Sequence, residues 1–315
     1  MRRSGWVIIV VIALVLAPIV AYLGFRIWVK SHIVDLANLP PPNYEVLPTD
    51  DPLTALKKRA RQAERAHDYQ HAADLYSEGL ADPSYSAKDR RNLLRQRAFA
   101  YEDLHQFDRA EADYNAALAI EPVDPDFYAK RGFYFIRRGR YDEALADFRK
   151  GSELDPNDGG YPFGEGQAYE KLGQHEQAVE RFTEAIRRNA KVANYYRERG
   201  SAYNYLSRYR EAVADYDKAL AIGYSFPVPR ESGYSYLGRG YARLQLKEYQ
   251  DAIADFDAVL KVVPRSSTAL AWRGSAHQGL GDAANSAADY KAALAIDPES
   301  TRARDGLTSL GQPVP

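Results

Sequence analysis

The sequence predicts an all-α solenoid built from about seven helix-turn-helix repeats, and three recurring patterns support that prediction. The first is a set of equivalent alanines at spacings of 34, 34, 34 and 40 residues, namely Ala110, Ala144, Ala178, Ala212 and Ala252. The second is a small residue within an aromatic-rich stretch upstream of the alanine position, namely Gly132, Gly166, Gly200, Gly240 and Gly274. The third is a proline that closes several periods, as at Pro122, Pro156, Pro264 and Pro298. Such a fixed period is typical of an array in which each unit packs on its neighbours.

The composition excludes several functional classes. The chain has 315 residues, of which 45% are apolar and 27% charged, values typical of globular domains and not of disordered or polytopic membrane proteins. The first 30 residues contain four basic residues and no acidic one, which leaves 38 basic against 43 acidic residues in the remainder. This mildly acidic body offers no electrostatic surface for nucleic acid, so we expect no nucleic-acid partner. Without cysteine, the chain forms no disulfide and uses no thiolate chemistry.

An uncharged stretch at residues 5–25 predicts one transmembrane helix, within an anchor segment over residues 1–30. Its 21 residues would rise about 30 Å as a helix, which matches the hydrocarbon thickness of a bilayer. A cleaved signal peptide is the alternative, with a permissive site at residues 19–21. The apolar core is longer than the ~7–15 residues usual for such peptides. The sequence therefore favours an uncleaved anchor, with the membrane as one partner.

The charges that flank this stretch bear on its orientation. Arg2 and Arg3 precede it and Arg26 and Lys30 follow it, so the positive charges on the two sides nearly balance. Because a short basic N-terminal tail usually stays in the cytosol, the sequence predicts that the body lies on the non-cytoplasmic (periplasmic) side.

Residues 31–52 predict a semi-rigid spacer. Prolines favour extended polyproline geometry because their rings fix φ. This segment contains Pro40, Pro41, Pro42, Pro48 and Pro52. Such a spacer would hold the body at most ~70 Å from the membrane. A proline-rich ligand for another domain is the alternative interpretation.

The recurring patterns resemble the tetratricopeptide repeat, a helix-turn-helix unit of 34 residues with Gly, Tyr, Ala, Phe or Tyr, Ala and Pro at fixed offsets. The resemblance covers residues 53–300 as seven repeats. They start at Leu53, Arg91, Pro125, Gly159, Ala193, Gly233 and Ser267. It implies a right-handed superhelical solenoid. The end repeats depart from the signature, since Ser286 replaces an alanine, Arg243 replaces a tyrosine and the first unit lacks the glycine.

The signature positions have a packing explanation. The glycine of the first helix would face the second helix of the same repeat, where the alanine lies, so that the two backbones approach closely. Large aromatics on the second helix would pack onto the next repeat, at Phe148, Phe182, Tyr216, Phe256 and Tyr290. Residues 301–315 predict a cap helix and tail, with Leu307 and Leu310 facing inward and Arg302, Arg304 and Asp305 outward.

No pattern in the sequence indicates catalysis, and we expect no enzyme activity, no cofactor and no small-molecule substrate. His67 and His71 have the spacing of a helical metal pair, but no third ligand accompanies them. The motifs GxSxG and GxxxxGK[ST] are absent. We therefore predict no metal site and no catalytic residue.

The resemblance implies that the first helix of each repeat lines a concave groove for an extended peptide or a partner helix. The groove positions carried over from the family are Arg95, Phe99, Phe133, Arg137, Phe163, Gln167, Lys171, Arg197, Tyr205, Tyr234, Leu237 and Tyr241. Aromatics beside basic and amide groups suit an apolar or acidic peptide. The alternative is that some of these side chains only fill the groove.

One subtype of this family holds the C-terminal carboxylate of a chaperone with lysine, asparagine and arginine side chains from three repeats. The corresponding positions here are Lys57, Arg61, Gln96, Asp126 and Lys130. Lys57 matches, whereas Asp126 would repel a carboxylate. The sequence therefore disfavours a chaperone-tail clamp.

Together these patterns predict a membrane-anchored scaffold that binds protein or peptide partners through its groove, in assembly or recruitment at the cell envelope. The architecture is similar to bacterial envelope assembly factors and to mitochondrial outer-membrane import receptors. One alternative is a structural subunit that binds through convex or end surfaces, including the insertion at residues 224–229. Another is a regulator of a separate enzyme.

Overall fold

The computed structural model describes residues 50–223 and 229–314, and within these ranges the chain is helical without a strand. In chain order the helices are α1 Pro52–Arg65, α2 Tyr69–Ala81, α3 Ala87–Asp103, α4 Phe107–Ile120, α5 Pro125–Arg137, α6 Tyr141–Leu154, α7 Gly160–Lys171, α8 His175–Arg188, α9 Ala193–Tyr205, α10 Tyr209–Ile222, α11 Pro229–Gln245, α12 Tyr249–Val262, α13 Ser267–Gly279, α14 Ala283–Ile296 and α15 Thr301–Ser309. The expected all-α solenoid is confirmed.

The predicted membrane span at residues 5–25, the spacer up to residue 49 and the insertion at residues 224–228 lie outside the described residues. Within the described ranges, no helix combines the length and the hydropathy that a bilayer span requires.

Two helices begin a full turn earlier than the repeat starts expected from the sequence. Helix α3 begins at Ala87 instead of Arg91, and α11 begins at Pro229 instead of Gly233. For α3 the reason is a cap, because the amide of Asp89 donates to Ser86 Oγ at 3.1 Å while Ser86 Oγ donates to the Asp89 carboxylate at 2.6 Å. The Ser86 hydroxyl thereby satisfies one amide of the first turn and stabilises a helix start before Arg91.

The described residues divide into two compact units. The first contains residues 50–85 and 99–106, and the second contains residues 86–98 and 107–314. In the first unit Ala60 and Ala72 are fully buried. The buried Tyr76 donates its hydroxyl to Glu64 Oε1 at 2.8 Å, which joins α2 to α1.

In the second unit, aromatic side chains of the second helices pack against glycines of the first helices. A Cβ added at Gly166 would lie 2.4 Å from the ring of Phe182, and one at Gly132 would lie 2.9 Å from the ring of Phe148. The contact is so close that only a hydrogen atom fits in place of a side chain. These glycines therefore set the distance between the two helices of a repeat.

Each helix pair turns through a residue with a positive φ angle. The turn is made by Gly139, Gly173 and Gly281 in three pairs and by non-glycine residues in the other four, namely His67, His105, Ser207 and Lys247. The left-handed conformation lets amides after the helix bond to its last carbonyls, as in the donation from Arg208 N to Tyr203 O at 2.8 Å. His67 is thus a turn residue, and its Nδ1 lies 2.9 Å from the Tyr69 hydroxyl.

A ladder of ion pairs joins the helices of the second unit. In the described part, arginines one residue before the signature glycine position pair with an aspartate 16 residues later, at Arg97–Asp113, Arg131–Asp147, Arg199–Asp215, Arg239–Asp255 and Arg273–Asp289. Arg273 also donates to Asp257 of the preceding helix pair at 2.5 Å. Hydrogen bonds to Asp289 and Asp257 raise the pKa of Arg273 above its usual value. Each arginine that bridges two pairs in this way couples neighbouring repeats.

In the fourth repeat the signs of the charges at the ladder positions are exchanged. Glu165 occupies the position of the arginines, and Arg149 and Arg181 occupy the positions 16 residues before and after it. Glu165 is 5% exposed, and its Oε2 lies 3.7 Å from Arg149 Nε. Burial raises the pKa of Glu165, and the charges of Arg181 and Arg149 offset part of that effect. The fourth repeat therefore carries exchanged charges at these positions, and the contact that Glu165 makes is with Arg149 of the preceding repeat.

Buried tyrosines make the array sensitive to alkaline pH. Burial, with nearby acidic groups such as Asp158, raises the pKa of Tyr161 to about 12, and burial also raises the pKa of Tyr195. A folded-state pKa above the unfolded value means that this stability is fully present below about pH 10 and is lost as the pH rises from there through about 12.

We therefore expect a loss of stability between about pH 10 and 12 that the Tyr161→Phe variant reduces. The measurement is the urea midpoint of the full chain at successive pH values. Tyr205→Phe serves as the control, because Tyr205 is 68% exposed. Equal alkaline losses in wild type and Tyr161→Phe would contradict the expectation.

Candidate functional site

A cavity of about 690 Å³ lies in the last three repeats, between helices α9, α10, α11, α13 and the cap helix α15. Five of the predicted groove residues line it: Arg197, Tyr205, Tyr234, Leu237 and Tyr241. It is also lined by residues that the sequence analysis did not select, among them Glu198, Ser201, Asn204, Tyr209, Tyr216, Trp272 and Arg302. The last repeats thus bring a subset of the predicted positions together with new ones.

Helix α9 positions the wall of the cavity. The helix ends at Tyr205 because Ser207 adopts a φ of 58° and the chain turns into α10. Tyr205 is consequently 68% exposed, and its ring stacks on that of His175 with centroids 4.5 Å apart. Tyr209 then opens α10, and its hydroxyl donates to Ser207 Oγ at 3.2 Å.

Helices α11 and α13 supply the remaining aromatic surface. Tyr234 is 51% exposed, and Tyr241 is half-buried with its ring centroid 5.0 Å from that of Trp272. Trp272 in turn lies against Phe256 in the core. The cavity therefore offers two exposed tyrosines in front of a rigid aromatic layer, which suits apolar or ring-shaped groups.

Asn204, one of the residues that line the cavity, contains an unsatisfied acceptor. Asn204 Nδ2 donates to Gly238 O at 3.0 Å, which fixes the orientation of the amide. Asn204 Oδ1 is buried and has no hydrogen-bond partner among the described residues. Such a group costs about 1–3 kcal/mol unless a donor reaches it.

Two arginines and one glutamate give the cavity its charge. Arg197 Nη2 lies 2.7 Å from Glu198 Oε1, and the Arg197 guanidinium carbon lies 6.0 Å from the centroid of Tyr234. Arg302 is exposed and has no ionic partner within the described ranges. Burial raises the pKa of Tyr216 and of Tyr241, so both hydroxyls stay neutral at physiological pH. The lining carries one unmatched positive charge.

The other predicted groove residues do not line this cavity. Phe133 packs 4.9 Å from Phe148, and Phe163 packs 4.9 Å from Tyr195, so these two rings belong to the contacts between helices. The remaining predicted positions outside it are Arg95, Phe99, Arg137, Gln167 and Lys171. Of the positions tested for a carboxylate clamp, Lys130 forms an ion pair with Asp126.

No group of three or more histidine or acidic side chains within residues 50–223 and 229–314 has a geometry that could hold a metal ion.

Family models described as tetratricopeptide repeat match the chain over three ranges. One model matches residues 163–225 and 237–301, and a second matches residues 125–158. No curated protein matches the sequence. The ranges include α9, α10, α13 and the second half of α11, but not Tyr234 or the cavity residue Arg302 of α15.

Solved structures share the fold at low sequence identity. PilF of Pseudomonas aeruginosa is 16% identical, with a TM-score of 0.60 over 71% of this chain and 99% of that one. The C-terminal part of a TPR repeat-containing protein from Cytophaga hutchinsonii is 18% identical, with a TM-score of 0.59 over 79% and 98%. YrrB, a TPR protein with an unusual peptide-binding site, is 17% identical, with a TM-score of 0.54 over 62% and 97%. These similarities concern the fold alone.

Proposed function

The chain belongs to the tetratricopeptide repeat family, whose members generally bind proteins or peptides and are typically non-catalytic, and we propose that it is a scaffold that holds an extended segment of a protein partner in the cavity of its last three repeats. The observation that carries this proposal is the pair of exposed tyrosines, Tyr205 and Tyr234, at a cavity that Arg197 also lines. Aromatic anchors around a polar group are typical of binding hot spots.

The cavity suits a peptide because exposed tyrosine rings and charged side chains line the same surface. The exposed faces of Tyr205 and Tyr234 accept apolar side chains of the partner. The volume of about 690 Å³ lies within the range of pockets that enclose small ligands and peptide side chains. The cavity therefore accommodates a few residues of a longer partner.

We expect Tyr205→Ala/Tyr234→Ala to reduce recovery of the partner about tenfold or more, because exposed aromatic anchors dominate such interfaces. The measurement is quantitative mass spectrometry of proteins recovered from cell extract on the immobilised full chain. Leu172→Ala/Val263→Ala is the matched control, since both residues are exposed apolar side chains outside the cavity. Equal recovery by all three proteins would contradict groove binding and favour the end or convex surfaces.

We also propose that residues 5–25 anchor the array in a membrane, with its body on the non-cytoplasmic side, where it acts in assembly or recruitment at the cell envelope. The uncharged stretch of 21 residues and the basic Arg2 and Arg3 support this proposal. We expect the full chain to remain in the membrane pellet after carbonate extraction, and a chain without residues 5–25 to leave it.

Protease added outside the cytoplasmic membrane of intact spheroplasts should degrade the body. Carbonate release of the full chain would contradict the anchor, and complete protection from protease would contradict the orientation.

A further inference from the structure

We propose that the cavity selects an acidic peptide segment, in which the carboxylate of an aspartate or glutamate side chain pairs with Arg302 of the cap helix while the neighbouring residue packs on Tyr205 and Tyr234. This inference rests on the proposed function and adds the chemical class of the ligand. It also assigns a binding role to α15, which lies outside the repeat period.

The cap helix holds Arg302 in a fixed place. Ala303 and Leu307 are fully buried in a core cluster that also contains Tyr290. Gly306 lies directly against the same tyrosine, because a Cβ there would be 2.3 Å from its ring. The backbone that carries Arg302 is therefore packed firmly on the last repeat, and its side chain reaches the cavity.

The charge of Arg302 has no evident structural use. Arg304, two residues later, lies 3.1 Å from Glu299, whereas Arg302 has no ionic partner among the described residues. Arg302 is the second residue of α15, where the helix dipole disfavours a cation. An unpaired cation at an unfavourable helix position and at a cavity rim points to a ligand as its partner.

The other charges of the cavity leave Arg302 as the recognition charge. Arg197 is balanced by Glu198, and the lining therefore has a net charge of +1. A basic segment would be repelled by Arg302, because no acidic side chain of the lining remains to offset that charge. An acidic side chain would neutralise it at the exposed rim, where both groups keep part of their hydration.

The lining of the cavity favours a side-chain carboxylate over a C-terminal one. The walls of the cavity are the interiors of α9 and α11, which present no free backbone N–H groups for a terminal carboxylate. We therefore assign the anion to a side chain within the segment.

The test begins with a library of random ten-residue peptides displayed on phage and selected on the immobilised full chain at low salt. We expect enrichment of an aspartate or glutamate at a fixed spacing from an aromatic, proline or aliphatic residue. One enriched peptide is then synthesised with an amidated C-terminus for binding measurements. For Arg302→Ala we expect affinity to fall about 3–5-fold, and for Arg302→Glu about tenfold, with the effect shrinking at high salt.

Arg304→Glu is the matched control, because it makes the same charge change on the same helix at an arginine that does not line the cavity. We expect its affinity to equal that of wild type. Replacing the peptide's acid with its amide should weaken binding to wild type and have no effect on Arg302→Ala, which shows that the two groups interact directly.

The possible failures are distinguishable. Enriched peptides that lack an acid but lose binding to Tyr205→Ala/Tyr234→Ala would overturn the acidic ligand and leave the proposed function intact, as would enrichment of lysine or arginine. Loss of binding on amidation of the C-terminus would overturn the side-chain source of the anion. Peptides that bind the tyrosine variant as tightly as wild type would overturn the proposed function and this inference together.

Discussion

Gly166→Leu is expected to lower the free energy of unfolding by about 3 kcal/mol. Even the first added carbon would lie 2.4 Å from the Phe182 ring, which is fully buried and cannot move aside. The larger side chain must separate α7 from α8, and because each repeat packs on its neighbours, the separation weakens the repeats on both sides. Urea unfolding followed by circular dichroism measures the effect.

Alanine substitutions at different glycines compare how closely the helices pack at each position. Gly166→Ala should destabilise more than Gly200→Ala, because a Cβ at Gly200 would lie 3.2 Å from its nearest neighbour, the ring of Tyr216. Gly233→Ala is the control: no atom of the residues that the structure describes lies within 4 Å of its added Cβ, and alanine in a helix gains about 1 kcal/mol over glycine. A Gly166→Leu protein that unfolds at the wild-type midpoint would show that the two helices are not in this contact.

Glu165→Arg is expected to destabilise by about 3–5 kcal/mol, because it places a third cation beside Arg149 and Arg181 in a position that is 5% exposed. The double variant Glu165→Arg/Arg181→Asp recreates the orientation found at Arg131–Asp147 and should recover most of that loss. Urea unfolding of both single variants and the double variant gives the coupling energy between the two positions.

Asp142→Arg/Arg210→Asp offers a control for the change of charges alone, since both residues are exposed. Its stability should stay within about 0.5 kcal/mol of wild type. A double variant at positions 165 and 181 that is as unstable as Glu165→Arg would refute an electrostatic coupling between the two positions.

The sequence was sufficient to predict the helix pairs, because glycine and alanine recur with one period and only close packing explains small residues at those positions. It did not predict the early starts of α3 and α11. For α3 the reason was the hydrogen bonding of Ser86 with Asp89, which is local and does not follow the repeat. The sequence also contains the exchanged charges at Glu165 and Arg181. They were not predicted as a pair because the repeat was recognised from its small and aromatic residues and not from its charged ones.

The binding site was predictable only in part. Carrying over the family's groove positions found Tyr205 and Tyr234, whose exposure follows from their place on the first helices. The same procedure included Phe133, which packs on Phe148 because α5 and α6, the two helices of the third repeat, are in contact there. It could not find Arg302, since the cap helix has no counterpart in the period. Nor could it find the unsatisfied oxygen of Asn204, which depends on where the Gly238 carbonyl lies.

The central claim is that a partner segment lies in the cavity of the last three repeats. Its most direct test is photo-crosslinking of the full chain with an enriched peptide that carries a benzophenone in place of its aromatic or aliphatic residue, followed by mass spectrometry of the joined fragments. The account predicts crosslinks to α9, α11 and α13, near Tyr205, Tyr234 and Trp272. Crosslinks confined to the second helices, such as α6, α8 and α12, would contradict it.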